Sequence, residues 1–329
     1  MLKRIVISGF LFCFVYSLQA QVSLDSLSEK DKAALDSMLS NDAFLSLLNG
    51  KDKNYVDISV GIGNGTFSES NQAVNATGIS NQLVLTPGIS YHFKQGISVG
   101  VTGFFTKEQT AGSMQLYQTG LTAAYDYMGK KISGGVSYTR YISDAKKYNS
   151  KSLYQNDLYG YFKRSSGAIQ PGIAVGYANG NYKDASFTSF ILKRPLRGDT
   201  LISGIDSTEN QSSYFSVSAN IEHDFSLYNI FDKNDELDIV PSLIVNYGSD
   251  KYTQTHTNKV YDRLRALNKV KKVVADSKFQ LQSVAMSLDL TYSIGKFFLQ
   301  PNVYMDYYLP ATTGKRLSTI YSVTTGFSF

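Results

Sequence analysis

The last fourteen residues, Arg316 to Phe329, constrain the fold more than any other stretch of the chain. Phe329, Phe327, Val323, Tyr321 and Leu317 fall on one face of an extended backbone, and Ser328, Gly326, Thr324, Ser322 and Ser318 fall on the other. Side chains alternate faces along a strand, so this is a strand with one apolar side and one small, polar side, closed by an aromatic terminus. A strand of that kind suits a wall with lipid on one side and a polar interior on the other.

The same alternation recurs along the chain and gives about twelve strands. They are Tyr55 to Thr66, Leu83 to Phe93, Ile97 to Thr106, Gln115 to Met128, Ile132 to Tyr141, Leu153 to Arg164, Ile169 to Asn179, Tyr214 to Phe225, Leu237 to Tyr252, Phe279 to Ile294, Phe297 to Leu309 and Leu317 to Phe329. In the fourth, Tyr117, Leu121, Ala123, Tyr125 and Tyr127 form the apolar face; in the first, Val56, Ile58, Val60 and Ile62 do. Starting from an inner end, the even connections, such as Lys94 to Gly96 and Gly129 to Lys131, are short apart from Ser226 to Glu236. Several odd ones are long, above all Thr188 to Ser213 and Thr253 to Lys278. A soluble β-sandwich also alternates but has no reason to segregate its loops by length. Outer-membrane barrels do this, and an even strand count returns both ends to one side. The expected fold is therefore all-β, a transmembrane antiparallel β-barrel over residues 54–329. Lipid cannot satisfy a free strand edge, so the first and last strands are expected to pair. Pro87, Pro171, Pro241 and Pro301 fall on outward faces and are expected to mark bulges.

Met1 to Ala20 has the three parts of a secretory signal: Lys3 and Arg4, an apolar core from Ile5 to Tyr16, and Leu18-Gln19-Ala20 before Gln21. The apolar core is too short to span a membrane as a helix, which takes about 20 residues. The one cysteine, Cys13, lies inside it, so the mature chain has no disulfide and no cysteine-based metal site. No later stretch approaches the length of an apolar helical span, and mean hydropathy is slightly negative. Without the signal, 30 basic side chains face 27 acidic ones, too small an excess to argue for nucleic acid. The 24 tyrosines and 19 phenylalanines suit aromatic girdles at the two interfaces. Residues 21–53 read as a short periplasmic helical segment: Ser28 and Asp31 make a capping pair, and Ala34, Leu35, Met38 and Leu39 keep helical spacing.

Ser17-Leu18-Gln19-Ala20-Gln21 at the cleavage site, Leu35-Asp36-Ser37-Met38-Leu39 with Phe44-Leu45, and the strand Tyr321 to Phe329 together resemble the uncharacterised outer-membrane β-barrel proteins of the Bacteroidota, a porin-like class. The resemblance spans the chain and implies export, residence in the outer membrane and contact with its lipid and lipopolysaccharide. It also implies that the last strand resembles a recognition signal for the barrel-assembly machinery. It carries no functional residue.

Candidate sites follow from charge and face. Asp57, Asp126, Glu222, Asp224, Asp238, Asp289 and Asp306 alternate onto the interior, mostly toward the inner end, as a cation-favouring lining for small polar solutes. The reading alongside it is a solvated rim with no selective role. Lys259, Arg263, Arg265, Lys269, Lys271 and Lys272 make the loop Thr253 to Lys278 basic. Val260, Leu264, Leu267, Val270 and Val274 give it near-helical spacing. The loop is read as an amphipathic helix that folds into the lumen, rests on lipopolysaccharide, or is simply solvated. A plug formed by the N-terminal helix or a long loop would make the barrel a structural or surface-binding one instead of a channel. No catalytic residues, metal or cofactor are expected. His92 and His223 have no neighbouring serine nucleophile in sequence, and His256-Thr257-Asn258 only superficially resembles an outer-membrane phospholipase site.

Overall fold

The computed structural model describes residues 53–64, 83–107, 113–143, 154–192, 200–262, 265–310 and 316–329. The expected signal segment and the helical segment before the barrel lie outside the described residues, as does Arg263.

Fourteen strands form one antiparallel sheet: β1 Tyr55–Gly63, β2 Val84–His92, β3 Ile97–Lys107, β4 Met114–Met128, β5 Ile132–Ser143, β6 Asn156–Arg164, β7 Gln170–Leu192, β8 Thr200–Glu222, β9 Phe225–Tyr228, β10 Asp235–Asp262, β11 Arg265–Asp276, β12 Gln280–Ile294, β13 Phe297–Tyr308 and β14 Leu317–Ser328. Neighbours in sequence pair around the ring, and β8 closes it by pairing with β10. Twelve staves make the wall, because β9 continues β8 in the same register against β10, and β11 continues β12 along the other edge of β10. Each of the twelve expected segments carries a strand. The first and last strands pair from Asp57↔Ser328 to Gly63↔Ser322, and Val56 and Phe329 exchange backbone hydrogen bonds of 3.0 and 2.9 Å at the end of the seam. The fold is a closed transmembrane β-barrel.

The outward face explains the alternation. On β10 it runs Leu237, Ile239, Pro241, Leu243, Val245 and Tyr247, then turns polar at Ser249 and Lys251. On β7 the same change comes between Tyr177 and Asn179. Each apolar run is nine to eleven residues long, about what a tilted strand needs to cross a membrane. Aromatics edge the band. Phe279 packs against Phe215 and Tyr247 at the outer margin, with ring centroids 5.9 and 6.3 Å apart. Phe327 packs between Phe297 and Phe329 at the inner margin, at 5.6 and 6.3 Å. The inner turns are tight. At Gly96 φ is +88°, and a Cβ there would stand 2.2 Å from the Asp126 carbonyl oxygen, so glycine is required.

Four expectations are corrected. The segments Thr188 to Ser213 and Thr253 to Lys278 are not mainly loops: β7 and β8 stay paired to Leu192↔Thr200, and β10 and β11 to Asp262↔Arg265. The expected amphipathic helix is strand β11, and its valines contribute to an extended edge. The prolines do not carry the register shifts, which fall at Phe104/Phe105, where β4 has an extra residue, and at Asn246/Tyr247, where β12 has one. A proline removes one N–H from a ladder, whereas a bulge needs an inserted residue. The β4 bulge turns Tyr117 inward, where it is 6% exposed, rather than toward lipid as the alternation suggested.

Candidate functional site in the barrel lumen

Inward side chains divide the lumen into two halves. In the inner half they are polar and partly accessible, around a cavity of about 370 Å³. Three of the seven expected acidic residues meet there. Asp126 on β4 accepts a hydrogen bond from the Tyr161 hydroxyl of β6 (2.8 Å). Glu222 on β8 pairs with Lys163 of β6 and accepts from Asn220 Nδ2 (3.0 Å). Asp289 on β12 accepts from Ser287 Oγ (3.0 Å) and from the Asn302 amide. Each carboxylate is therefore held by a donor, and Lys163 sets one cation against them.

The other four are elsewhere. Asp57 lies by the seam with His92 (3.1 Å) and Ser328. Asp238 accepts from Ser226 Oγ (2.5 Å) near the inner rim, and Asp224 is exposed in the break between β8 and β9. Asp306 lies higher and is 1% exposed, with the Tyr304 hydroxyl 3.3 Å from its Oδ1. The acidic residues thus do not form one ring. Sequence reading missed Lys163, although its place two residues beyond Tyr161 on the inward face of β6 signals it.

In the outer half inward side chains pack into three clusters along the wall. Val84, Phe104 and Tyr117 cluster with Tyr141 across β2 to β5. Ile244, Ala285, Tyr304 and Ile320 do so across β10, β12, β13 and β14, and Tyr154, Ala178 and Tyr214 form a third cluster. Tyr304 is 0% and Ile320 2% exposed.

The basic residues lie on the strands beyond the apolar band. Lys259 on β10 and Lys269, Lys271 and Lys272 on β11 are exposed on the outer extension of the wall, and Arg265 opens β11. The expectation that this segment folds inward against the acidic wall is not met, because β11 is paired along β10. Lysines on an edge strand also discourage further strand pairing.

Two histidines have hydroxyl and carboxylate neighbours. Ser90 Oγ lies 2.9 Å from His92 Nε2, a serine on the same face that the sequence reading overlooked. Asp57 Oδ2 contacts that same Nε2, whereas a nucleophile–base–acid triad uses the two opposite ring nitrogens. At His256, Thr208 Oγ1 is 3.2 Å from Nδ1 and Asp206 Oδ1 is 3.2 Å from Nε2. The adjoining backbone lies in the β8–β10 ladder, so no paired N–H groups are free there as an oxyanion hole.

No family model matches the chain, and no curated protein matches it. Solved outer-membrane proteins are similar only weakly. A loop-deletion form of OmpT, an outer membrane protein of Vibrio cholerae, is 7% identical and covers 84% of this chain and 98% of its own, with a TM-score of 0.21. The outer membrane channel DcaP of Acinetobacter baumannii is 10% identical over 84% and 96%, at 0.22. The monoaromatic hydrocarbon channel CymD is 11% identical over 89% and 91%, at 0.31. Likenesses this weak carry no information on function.

Proposed function

We propose that this is a non-enzymatic outer-membrane barrel, exported by its N-terminal signal, that acts through its outer surface while its lumen stays closed. The observation that carries this reading is the packed outer half of the lumen, with Tyr304 and Ile320 sealed from solvent. The apolar band and its aromatic margins support the membrane setting. The extended β7, β8, β10 and β11 supply the surface through which it acts.

A second reading is favoured by the polar inner cavity: small polar solutes enter from the inner side and pass when the outer layer opens. Single-channel recording of the refolded chain in a planar bilayer separates the two. The closed reading expects a folded, electrically silent barrel, with conductance appearing when Phe104 and Tyr304 are both replaced by alanine. Stable open steps from the unaltered chain would overturn it in favour of passage. In that case Asp126→Asn, Glu222→Asn and Asp289→Asn together should lower cation preference, and unchanged reversal potentials would reject an acidic filter.

A further inference from the structure

We propose that the outward face of the wall, just above the apolar band, holds the phosphorylated sugar headgroup of an outer-leaflet glycolipid. A cavity of about 420 Å³ lies there, lined on β6, β7, β8 and β10 by Asn156, Asn179, Asn181, Gln211, Ser213 and Lys251. Every one of these side chains is polar.

Their place in the strands gives the argument. Asn179 and Asn181 share a face of β7 with Ile173, Val175 and Tyr177; Ser213 and Gln211 follow Phe215 on β8; Lys251 follows Tyr247 on β10. One continuous surface therefore changes from apolar to amide-rich within a rung or two. Below the cavity, Leu158, Tyr177 and Phe215 are exposed at 47%, 42% and 40%, a strip suited to acyl chains. A soluble solute needs no such strip, whereas a lipid with a large polar head uses both parts.

The amides are held in position. Asn156 Oδ1 accepts from the Tyr138 hydroxyl (2.7 Å) and Arg140 (2.6 Å), and Asn156 Nδ2 donates to Asn179 Oδ1 (2.7 Å). Asn181 Nδ2 and Gln211 Nε2 both donate to Glu209 Oε1, at 3.1 and 3.2 Å. Fixed amides bind sugar hydroxyls with little loss of freedom. Arg140, Lys183 and Lys251 on this face outnumber Glu209, whose charge two amides already engage, so the local field favours phosphate.

The proposal rests on the outer-membrane reading, and one experiment keeps the two apart. The refolded chain is first tested for insertion into vesicles by heat-modifiable migration. It is then titrated in dodecylmaltoside with lipid A, a phosphorylated and acylated diglucosamine, and with phosphatidylethanolamine, both followed by native mass spectrometry. The unaltered chain is expected to prefer lipid A. Lys251→Gln and Asn181→Leu should each weaken lipid A binding by about tenfold, the effect of losing a hydrogen bond to a charged group or sugar, with migration unchanged. Equal binding of the two lipids by an inserted barrel, or lipid A binding untouched by both substitutions, overturns the headgroup site alone. Failure to insert overturns the membrane reading with it.

Discussion

Strands β1 and β10 belong to one wall but end very differently. β1 has 9 residues and β10 has 28. At roughly 3.3 Å per residue β10 extends about 90 Å, over three times the height of an apolar band of about 25 Å. Inside the band both strands show apolar outward and small or polar inward residues. Beyond Tyr247 that distinction fades: Thr253, Gln254, Thr255, His256, Thr257 and Asn258 follow one another, though pairing with β8 and β11 continues. The difference teaches that alternating hydropathy records two different solvents on the two faces of a strand, and that a strand bathed in one solvent need not show it.

Opposite ends of β10 therefore respond differently to the same substitution. Leu243→Arg, outward within the band, should destabilise the barrel by about 2–4 kcal/mol, whereas Thr255→Arg on the same face of the projection should change stability by no more than about 0.5 kcal/mol. Urea unfolding of both variants from lipid vesicles checks this. Similar losses at the two positions would mean that the extension also lies against lipid. A smaller effect is expected from shortening the extension. Replacing residues 254–273 by Asn-Gly joins Thr253 to its partner Val274 with a hairpin-compatible turn. The shortened chain should keep its heat-modifiable folded form, and loss of that form would show that the extension is needed to build the wall.

The same contrast decides what was legible in the sequence. Strand positions, closure of the first strand on the last, and the inward place of Asp126, Glu222 and Asp289 follow from alternation where lipid and lumen meet opposite faces. The extended hairpins did not follow, because Val260, Leu264, Leu267, Val270 and Val274 fall at near-helical spacing among the basic residues when both faces meet water. A better signal was available in Thr253, Thr255 and Thr257, since β-branched residues repeating at every second position favour a strand. The packed outer lumen was hidden for another reason. Tyr117 counts as lipid-facing until the β4 bulge reverses it, and no local pattern reveals a bulge. Alternation along Phe297 to Leu309 puts Tyr304 inward, but that it buries against Ile244 and Ile320 depends on strands distant in sequence.

The inner turn before β10 gives the smallest and most specific test, because it lies below the band where ordinary solution electrostatics apply. Burial on its own would raise the pKa of Asp235. Backbone N–H groups of Phe231, Asp232 and Ile230 (2.8, 3.0 and 2.7 Å) and the Tyr292 hydroxyl (3.1 Å) outweigh burial and hold the carboxyl below its usual range. A carboxyl whose pKa is lower folded than unfolded stabilises the fold above its unfolded value, and that contribution fades as pH falls through the folded value. Asp235→Asn keeps one acceptor oxygen but removes the charge. The variant should unfold at lower urea than the unaltered chain at pH 7, and the gap should narrow as pH drops below about 4. A gap that persists unchanged at pH 3 would show that shape, and not the charge on Asp235, closes this turn.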